Sequence, residues 1–582
     1  MAGDSAALVG EGWEHFRLQR PLAAWASWQK ALRRSPGNAD AAEALESLET
    51  AADLPGAARA SYRFQNPSDP ARRAKWDARL QGRGLDDLNV AAGAFAAIAD
   101  DDPDDAEARL NQALCLAWLG RNVEAAAALD GVVRTLAASH PERAADAWTI
   151  AEVLRLGAGA EPLADDLKYV WTVESDPPRG MLDRWPNLRP VTVPEGAEEG
   201  ARPLKVAEMY EWLDRPPLVP GAVADLDAWK VPMVLATVVV TPGRVRLSST
   251  DSAGFERVFD PPLAGYAEYF RSARREAAPL PISWADLGLA RYRLPDGLDP
   301  ARRADLARGV VERAFEVDWV RRPRAGLDGR TPVEAARAAA KGDAVARAKL
   351  AAVVRFAEQL GERPNRAALY LGYPFDRLRR RLDLLTVGPE GNGAVAGDDV
   401  TCMSESELTA LDPSPLDDHR LAEAFASASA FSCDALSDKF ASILLERTPE
   451  VLRRADLEAV VAPLVRDALG GRRPSRAIEV IRRASSVTDD PRLRRTLTLW
   501  SAEVYARSGR PTEALAAYRS LVEQSGPDER VEVAIDGAET LLDNDLPEEA
   551  RALLVEVDRQ ARGGSSSRIQ DLVERAGESP PS

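Results

Sequence analysis

Cysteine and histidine are nearly missing from this chain, with three of each in 582 residues. Cys115, Cys402 and Cys433 lie far apart. They form neither a disulfide framework nor a CxxC metal pair, and such usage fits a reducing compartment, with the cytoplasm as the expectation. The histidines are equally scattered. His15 falls on an apolar helical face, His140 precedes Pro141 in a turn, and His419 follows Asp417 and Asp418 with no second ligand cluster near it in sequence. No metal site is expected from them. There is no HExxH, no GxSxG, no GxxxxGK[ST], and no GxGxxG after a strand. The acidic run at 100–105, DDDPDD, lacks the glycine and the terminal glutamate of a calcium loop and reads instead as a helix connection rich in N-cap residues. These absences leave no cofactor and no catalytic residue to assign, so the chain is read as non-enzymatic. An enzyme of unknown type in the middle of the chain is kept as an alternative. No run of 18 apolar residues occurs, and the opening MAGDSAALVGEGWEHF has no basic start before an apolar core. Neither a membrane span nor a signal peptide is therefore expected.

Alanine, leucine, arginine and glutamate are abundant instead, and all four favour helix. The length exceeds one core, so three or more domains are expected. The formal charge is -17, from 75 Lys+Arg against 92 Asp+Glu. An acidic whole argues against binding nucleic acid or membrane over the entire chain. The charge is uneven. Residues 301–385 hold 19 Lys+Arg and 11 Asp+Glu, a local excess of +8.

Composition shifts divide the chain. Residues 1–173 read as helical repeats. Residues 174–204, rich in Pro and Gly, read as a linker. Residues 205–298 read as a small α+β module, because the β-branched run Val234–Val240, the turn Thr241–Arg244 and the following VRLSS make a hairpin signal. Residues 299–385 form the basic helical region, with a capping box at Thr331-Pro332-Val333-Glu334. Residues 386–417 read as a flexible linker in which Ser404 and Glu407 could cap a short helix, and 418–582 return to helical pairs.

The repeats carry the reading furthest. In Leu497–Leu521, two helices hinge at Arg507–Pro511, with small residues at Ala502 and Ala514 and large ones at Tyr505 and Tyr518. Similar spacing recurs around Gly12, Ala24, Trp28, Ala31 and Pro36, before Pro103, from Ala113 to Val132, and in degenerate form from Ala144 to Val173. Toward the C-terminus, Ala477, Ala514 and Ala550 align at intervals of 37 and 36 residues. The pattern resembles the tetratricopeptide repeat of bacterial-type repeat proteins, a helix-turn-helix unit of about 34 residues. The resemblance implies a mainly α fold, an α-solenoid of such helix pairs at both ends of the chain around the central α+β module. It implies a groove lined by first helices that binds peptides or partner proteins, and hence a scaffold or adaptor. One unit cannot bury its apolar face alone, so stacked neighbours and a polar capping helix after 563–567 are expected.

Projected onto the groove, Trp13, Phe16, Trp76, Leu110, Leu114 and Trp118 make an aromatic N-terminal face. Arg466, Glu503, Arg507, Glu539 and Asp543 make a charged C-terminal one. The tryptophans are either partner anchors or are covered by the chain's own central module. A separate candidate is RAALYLGYPFDRLRRRLDLL at 366–385, which resembles a helix-turn-helix with Arg377, Arg379, Arg380 and Arg381 on its second helix. It offers nucleic-acid binding as the alternative function. Against it, Phe375, Leu378, Leu382 and Leu385 form an apolar stripe, beside which arginines would be an ordinary exposed face or a dock for acidic repeats.

Overall fold

The computed structural model describes residues 2–578 except 52–53, 68, 83, 85–86, 157–166, 193–197, 200–201, 204–207, 218–227, 251–254, 260–262, 264, 280–288, 296, 364–366, 386–398, 432, 448–456, 471–472, 527–529 and 561–566. It is mainly helical, with helix pairs toward both ends and a small antiparallel sheet in the central region. The chain divides into two compact units, residues 1–397 and 398–582.

The first unit opens with α1 (Ala2–Arg17) and α2 (Pro21–Arg34). Their close approach rests on one size match. Trp28 is fully buried and donates its Nε1–H to the Val9 carbonyl at 3.3 Å. A Cβ on Gly12 would fall 2.2 Å from that indole nitrogen. The following helices are α3 (Ala39–Thr50), α4 (Pro70–Leu80), α5 (Leu88–Asp101), α6 (Ala106–Trp118), α7 (Asn122–Leu136) and α8 (Pro141–Leu156). Asn38, Asp69, Asp87 and Asp105 cap α3 to α6 by accepting from first-turn backbone N–H groups. The acidic run at 100–105 thus ends in a helix cap, and buried Asp105 also accepts from Trp76 Nε1 at 2.7 Å.

The degenerate fourth repeat expected over 144–173 does not form as a helix pair within that stretch. Its first helix is α8, but residues Leu167–Val173 are a strand, β1. The helix that packs on α8 comes from nearly 200 residues downstream, in the basic region: α11 (Ala344–Gly361), which follows α9 (Pro300–Arg313) and the capped α10 (Pro332–Ala340). Trp148 meets Phe356 edge-on at 6.3 Å, and Arg355 bonds Glu142 at 2.6 Å and also Asp146. Part of the basic island therefore docks on the chain's own acidic helix, through Arg355.

β1 joins β2 (Leu188–Pro190), β3 (Glu208–Leu213), β4 (Val234–Thr241), β5 (Arg244–Ser249) and β6 (Arg274–Pro279) in one antiparallel sheet of order β2-β3-β4-β5-β1-β6. The expected hairpin is β4–β5, closed by the pair Thr241 and Arg244. After the hairpin the chain runs through the short helical turns Arg257–Phe259 and Ala267–Arg271, and Arg274–Pro279 is a strand. β1 escaped the sequence reading because it lies between β5 and β6 with Val170, Trp171, Thr172 and Val173 all buried, which erases the alternation of a half-exposed strand. Trp171, Trp185, Trp212, Phe255 and Phe270 fill the core on the sheet. Trp185 and β2 come from the stretch 174–204 that composition marked as a linker.

In the second unit, the short α13 (Glu405–Ala410) carries the expected Ser404–Glu407 capping box and buries Leu408, inside the stretch 386–417 read as a linker. Then come α14 (Asp418–Ser429), α15 (Asp434–Glu446), α16 (Leu457–Gly470), α17 (Pro474–Val487), α18 (Pro491–Arg507), α19 (Pro511–Gln524), α20 (Arg530–Asp543), α21 (Pro547–Gln560) and α22 (Ser567–Glu578). The aligned Ala477, Ala514 and Ala550 are fully buried. Tyr518 is buried against Gly537, where a Cβ would meet the ring at 2.7 Å. The terminal α22 packs Ile569 and Leu572 onto the preceding pair, as a capping helix does. The glycine-serine run before it lies, apart from Ser567, outside the described residues.

Gly12→Ala is expected to lower stability by about 1–3 kcal/mol through overpacking against Trp28. Thermal or denaturant unfolding checks this, and an unchanged first transition would contradict the close packing of α1 on α2.

Candidate grooves and an internal arginine cluster

The aromatic face of the first unit begins on α1. Trp13 is 42% exposed and lies edge-on to Phe16 and Trp28, at 6.0 and 5.0 Å. Phe16 is half-buried in the same cluster. Trp118, at the end of α6, is half-buried, stacks on Trp25 of α2 at 6.1 Å and meets Phe64 edge-on at 5.3 Å. Trp76 is different: it is buried, bonded to Asp105 and packed on Phe95. Leu114 is buried as well, and Leu110 is half-buried. Of the six projected positions, Trp13, Phe16, Trp118 and Leu110 keep surface.

Beside Trp118 lies the extended stretch 60–67, between the short helical turn Gly56–Arg59 and α4. Phe64 packs against both Phe95 and Trp118. Beside it, buried Asn111 of α6 holds the backbone of Gln65 at both polar atoms: its Oδ1 accepts from the Gln65 N–H and its Nδ2–H donates to the Gln65 carbonyl, each at 2.8 Å. Arg143 of α8 donates to Gln65 Oε1 at 3.2 Å and to Glu107 at 3.0 Å. An amide side chain that reads one backbone unit in this two-point way recognises extended chain regardless of its side chains. The sequence reading passed over Asn111, Trp25 and Phe64. Asn111 was within reach of it, since it sits three and seven residues before Leu114 and Trp118 on one helix.

The charged face of the second unit lies on α16, α18 and α20. Arg466, Arg507 and Asp543 are exposed; Glu503 and Glu539 are half-buried. Burial pushes the Glu503 carboxyl above its ordinary range, and the nearby Arg507 guanidinium opposes that shift. Burial also pushes the neighbouring Tyr518 hydroxyl up to about 12.

The four arginines of 377–381 do not form a solvent-facing row. They lie on α12 (Phe375–Arg381). Arg381 is buried and donates its Nε–H to the Glu316 carbonyl oxygen at 2.9 Å. Arg377 bonds the Glu316 carboxylate at 2.7 and 3.2 Å, and Tyr373 donates to the same group at 2.9 Å. Arg379 pairs with Glu358 and with Asp376. Arg380, half-buried, has interactions of its own. Glu316 is buried in a short π-helical segment that continues α9, and the Phe315 ring beside it stacks on Tyr373 at 4.8 Å. Burial pushes the Glu316 carboxyl up, and Arg377 acts against this. The positive residues here answer a buried carboxylate, and a recognition helix would need them free. Among the described residues, no group of three or more His, Cys, Asp or Glu is placed to hold a metal ion, and no helix is long and apolar enough to cross a membrane.

The helix-pair class defined by this geometry agrees with family comparison. Residues 83–141 and 463–530 match the tetratricopeptide repeat family, so the chain carries such repeats in both units. Solved structures with similarity include the tetratricopeptide repeat domain of P58(IPK), at 12% identity over 87% of this chain and 96% of that one, with a TM-score of 0.19. The Cut9–Hcn1 hetero-tetramer of the APC/C aligns at 10% identity over 99% and 97%, with a TM-score of 0.21. Yeast Tom70 aligns at 10% over 98% and 95%, with a TM-score of 0.17. No curated protein matches the sequence.

Arg377→Met leaves the Glu316 carboxylate buried without its main cation and is expected to cost about 3–5 kcal/mol. The folded-state carboxyl is already raised, so its contribution is present below the unfolded-state value and is lost as pH rises through the folded-state one. In the variant that loss should steepen, and adding Glu316→Gln should recover much of the stability. Denaturant titrations between pH 4 and pH 8 check both; a pH-independent penalty would contradict the coupling.

Proposed function

We propose that this protein is a non-enzymatic interaction scaffold with two repeat arms, separated along the chain by an α+β region, that take different protein or peptide partners. The observation that carries the reading is the pair of first-helix faces with unlike chemistry. One offers Trp13, Phe16 and Trp118 together with the backbone-reading Asn111. The other offers Arg466, Glu503, Arg507, Glu539 and Asp543. Aromatic side chains with exposed area and a polar tip are the usual anchors of protein interfaces. A mixed-charge face instead selects partners by electrostatic complementarity. The fold supports this use because a solenoid stacks rigid helix pairs and presents one side chain set per repeat along a continuous surface. The reading places the protein in the cytoplasm, needs no cofactor, and assigns no role to nucleic acid, since Arg377 and Arg379 on α12 face carboxylates of the chain itself and Arg381 is buried on the Glu316 backbone carbonyl.

The test uses the full chain with two variants, Trp13→Ala/Phe16→Ala and Glu503→Arg/Arg507→Glu, each checked for unchanged secondary structure. Crosslinking followed by affinity enrichment should show each variant losing its own set of partners while keeping the other's. Identical partner sets for both variants and the unaltered chain would end the proposal.

A further inference from the structure

We propose that residues 60–67, ASYRFQNP, are a built-in ligand of the N-terminal groove, and that an external partner binds there by displacing them. This rests on the groove reading above and adds how that groove is regulated. Residues 60–67 are held as a bound peptide would be and differ in this from an ordinary connection. The stretch is extended, without helix or strand. Among the described residues, no backbone group of 61–66 bonds another backbone group. Its attachment to the repeat is instead by side chains of the receiving surface: Asn111 at both backbone polar atoms of Gln65, Arg143 at the Gln65 side-chain amide, and the Phe95 and Trp118 rings against Phe64. Tyr62 closes the stretch on its own side, its hydroxyl donating to the Ala57 carbonyl at 2.9 Å.

Each of these contacts is transferable. Asn111 reads backbone, so any extended chain satisfies it. The aromatic slot takes one ring, and the Arg143 guanidinium takes one neutral or acidic acceptor next to that ring. The partner that fits is therefore an extended protein segment with an aromatic residue followed directly by a residue bearing a side-chain carbonyl. The occupant also remains only partly covered: Phe64 is 37% exposed, and Arg63, Gln65 and Asn66 are exposed. A segment fixed by few contacts and open to water lies at the low-stability end of a fold, where local release precedes global unfolding. Its advantage over an outside peptide is its tether, ten residues from Gly56–Arg59 to α4, which keeps it at an effective concentration on the order of millimolar. An external segment must overcome this, so the groove selects partners that bind with more contacts or that are themselves tethered.

The experiment uses the full chain and a fluorescein-labelled peptide of sequence ASYRFQNP. Gln65→Pro removes the N–H that Asn111 accepts and leaves the preceding extended residue undisturbed; Phe64→Ala empties the aromatic slot. The Phe64→Ala/Gln65→Pro chain should bind the peptide at least about tenfold more tightly than the unaltered chain, by fluorescence anisotropy. Adding Asn111→Ala should remove that gain. Equal binding by the unaltered and doubly substituted chains, abolished in both by Asn111→Ala, would leave the groove reading standing and overturn self-occupancy. An absence of binding to the doubly substituted chain, with its helix content intact, would overturn both. The unaltered chain gives a second measurement that does not depend on any variant folding. Excess unlabelled peptide should speed hydrogen exchange of the Gln65 amide several-fold, and unchanged exchange at saturating peptide would also overturn the displacement.

Discussion

Close contact between helices, purchased by pairing a very small residue with a very large ring, is the constraint on which the rest of this molecule depends. Gly12 against Trp28 and Gly537 against Tyr518 are the same solution in the two units, and both rings are buried. Fully buried alanines such as Ala24, Ala113, Ala477, Ala514 and Ala550 extend it along the stacks. Packing of this density tolerates little change of volume, so each pair fixes where the next pair must sit. Side chains on the first helices are then displayed at set positions, and their chemistry becomes a property of the surface as a whole. Trp25 can reach Trp118 across ninety residues of sequence only because the intervening helices are held this way.

Charge plays a different part from the one its distribution along the chain suggests. Part of the positive excess in 301–385 is taken up by two long-range contacts inside the first unit. Arg355 reaches α8 at Glu142 in its first turn and at Asp146 one turn further on, and helps attach α11, the helix that completes the final repeat-like layer. Arg377 and Arg381 converge on Glu316, whose carboxylate would be costly to bury unpaired. Arginine suits both tasks, since its planar fork can satisfy several oxygens at once and stays charged when buried.

Legibility followed the range of the signal. The cap boxes at Thr331 and Ser404, the hinge at 507–511, the β4–β5 hairpin and the terminal capping helix are local patterns, and each has its counterpart in the fold. β1 was not legible, because burial on both faces removes the alternation that marks a strand. Trp76 was assigned to the groove by register alone, yet its indole N–H found a buried carboxylate in Asp105. The arginines on α12 looked like an exposed row because nothing in 366–385 announces that Glu316, some sixty residues earlier, lies beneath them.

By itself the sequence determined the class of the fold, the helix-pair pattern, the β4–β5 hairpin, and the capped starts of α10 and α13. All of these follow from spacing and capping within about forty residues. Only the tertiary structure decided which distant segments meet: β1 entering the central sheet, α11 completing the layer begun by α8, Glu316 gathering Arg377 and Arg381, and residues 60–67 lying across Asn111 and Trp118. These pairings depend on shape and charge complementarity between surfaces that exist only once their helices have packed, and no local period encodes them.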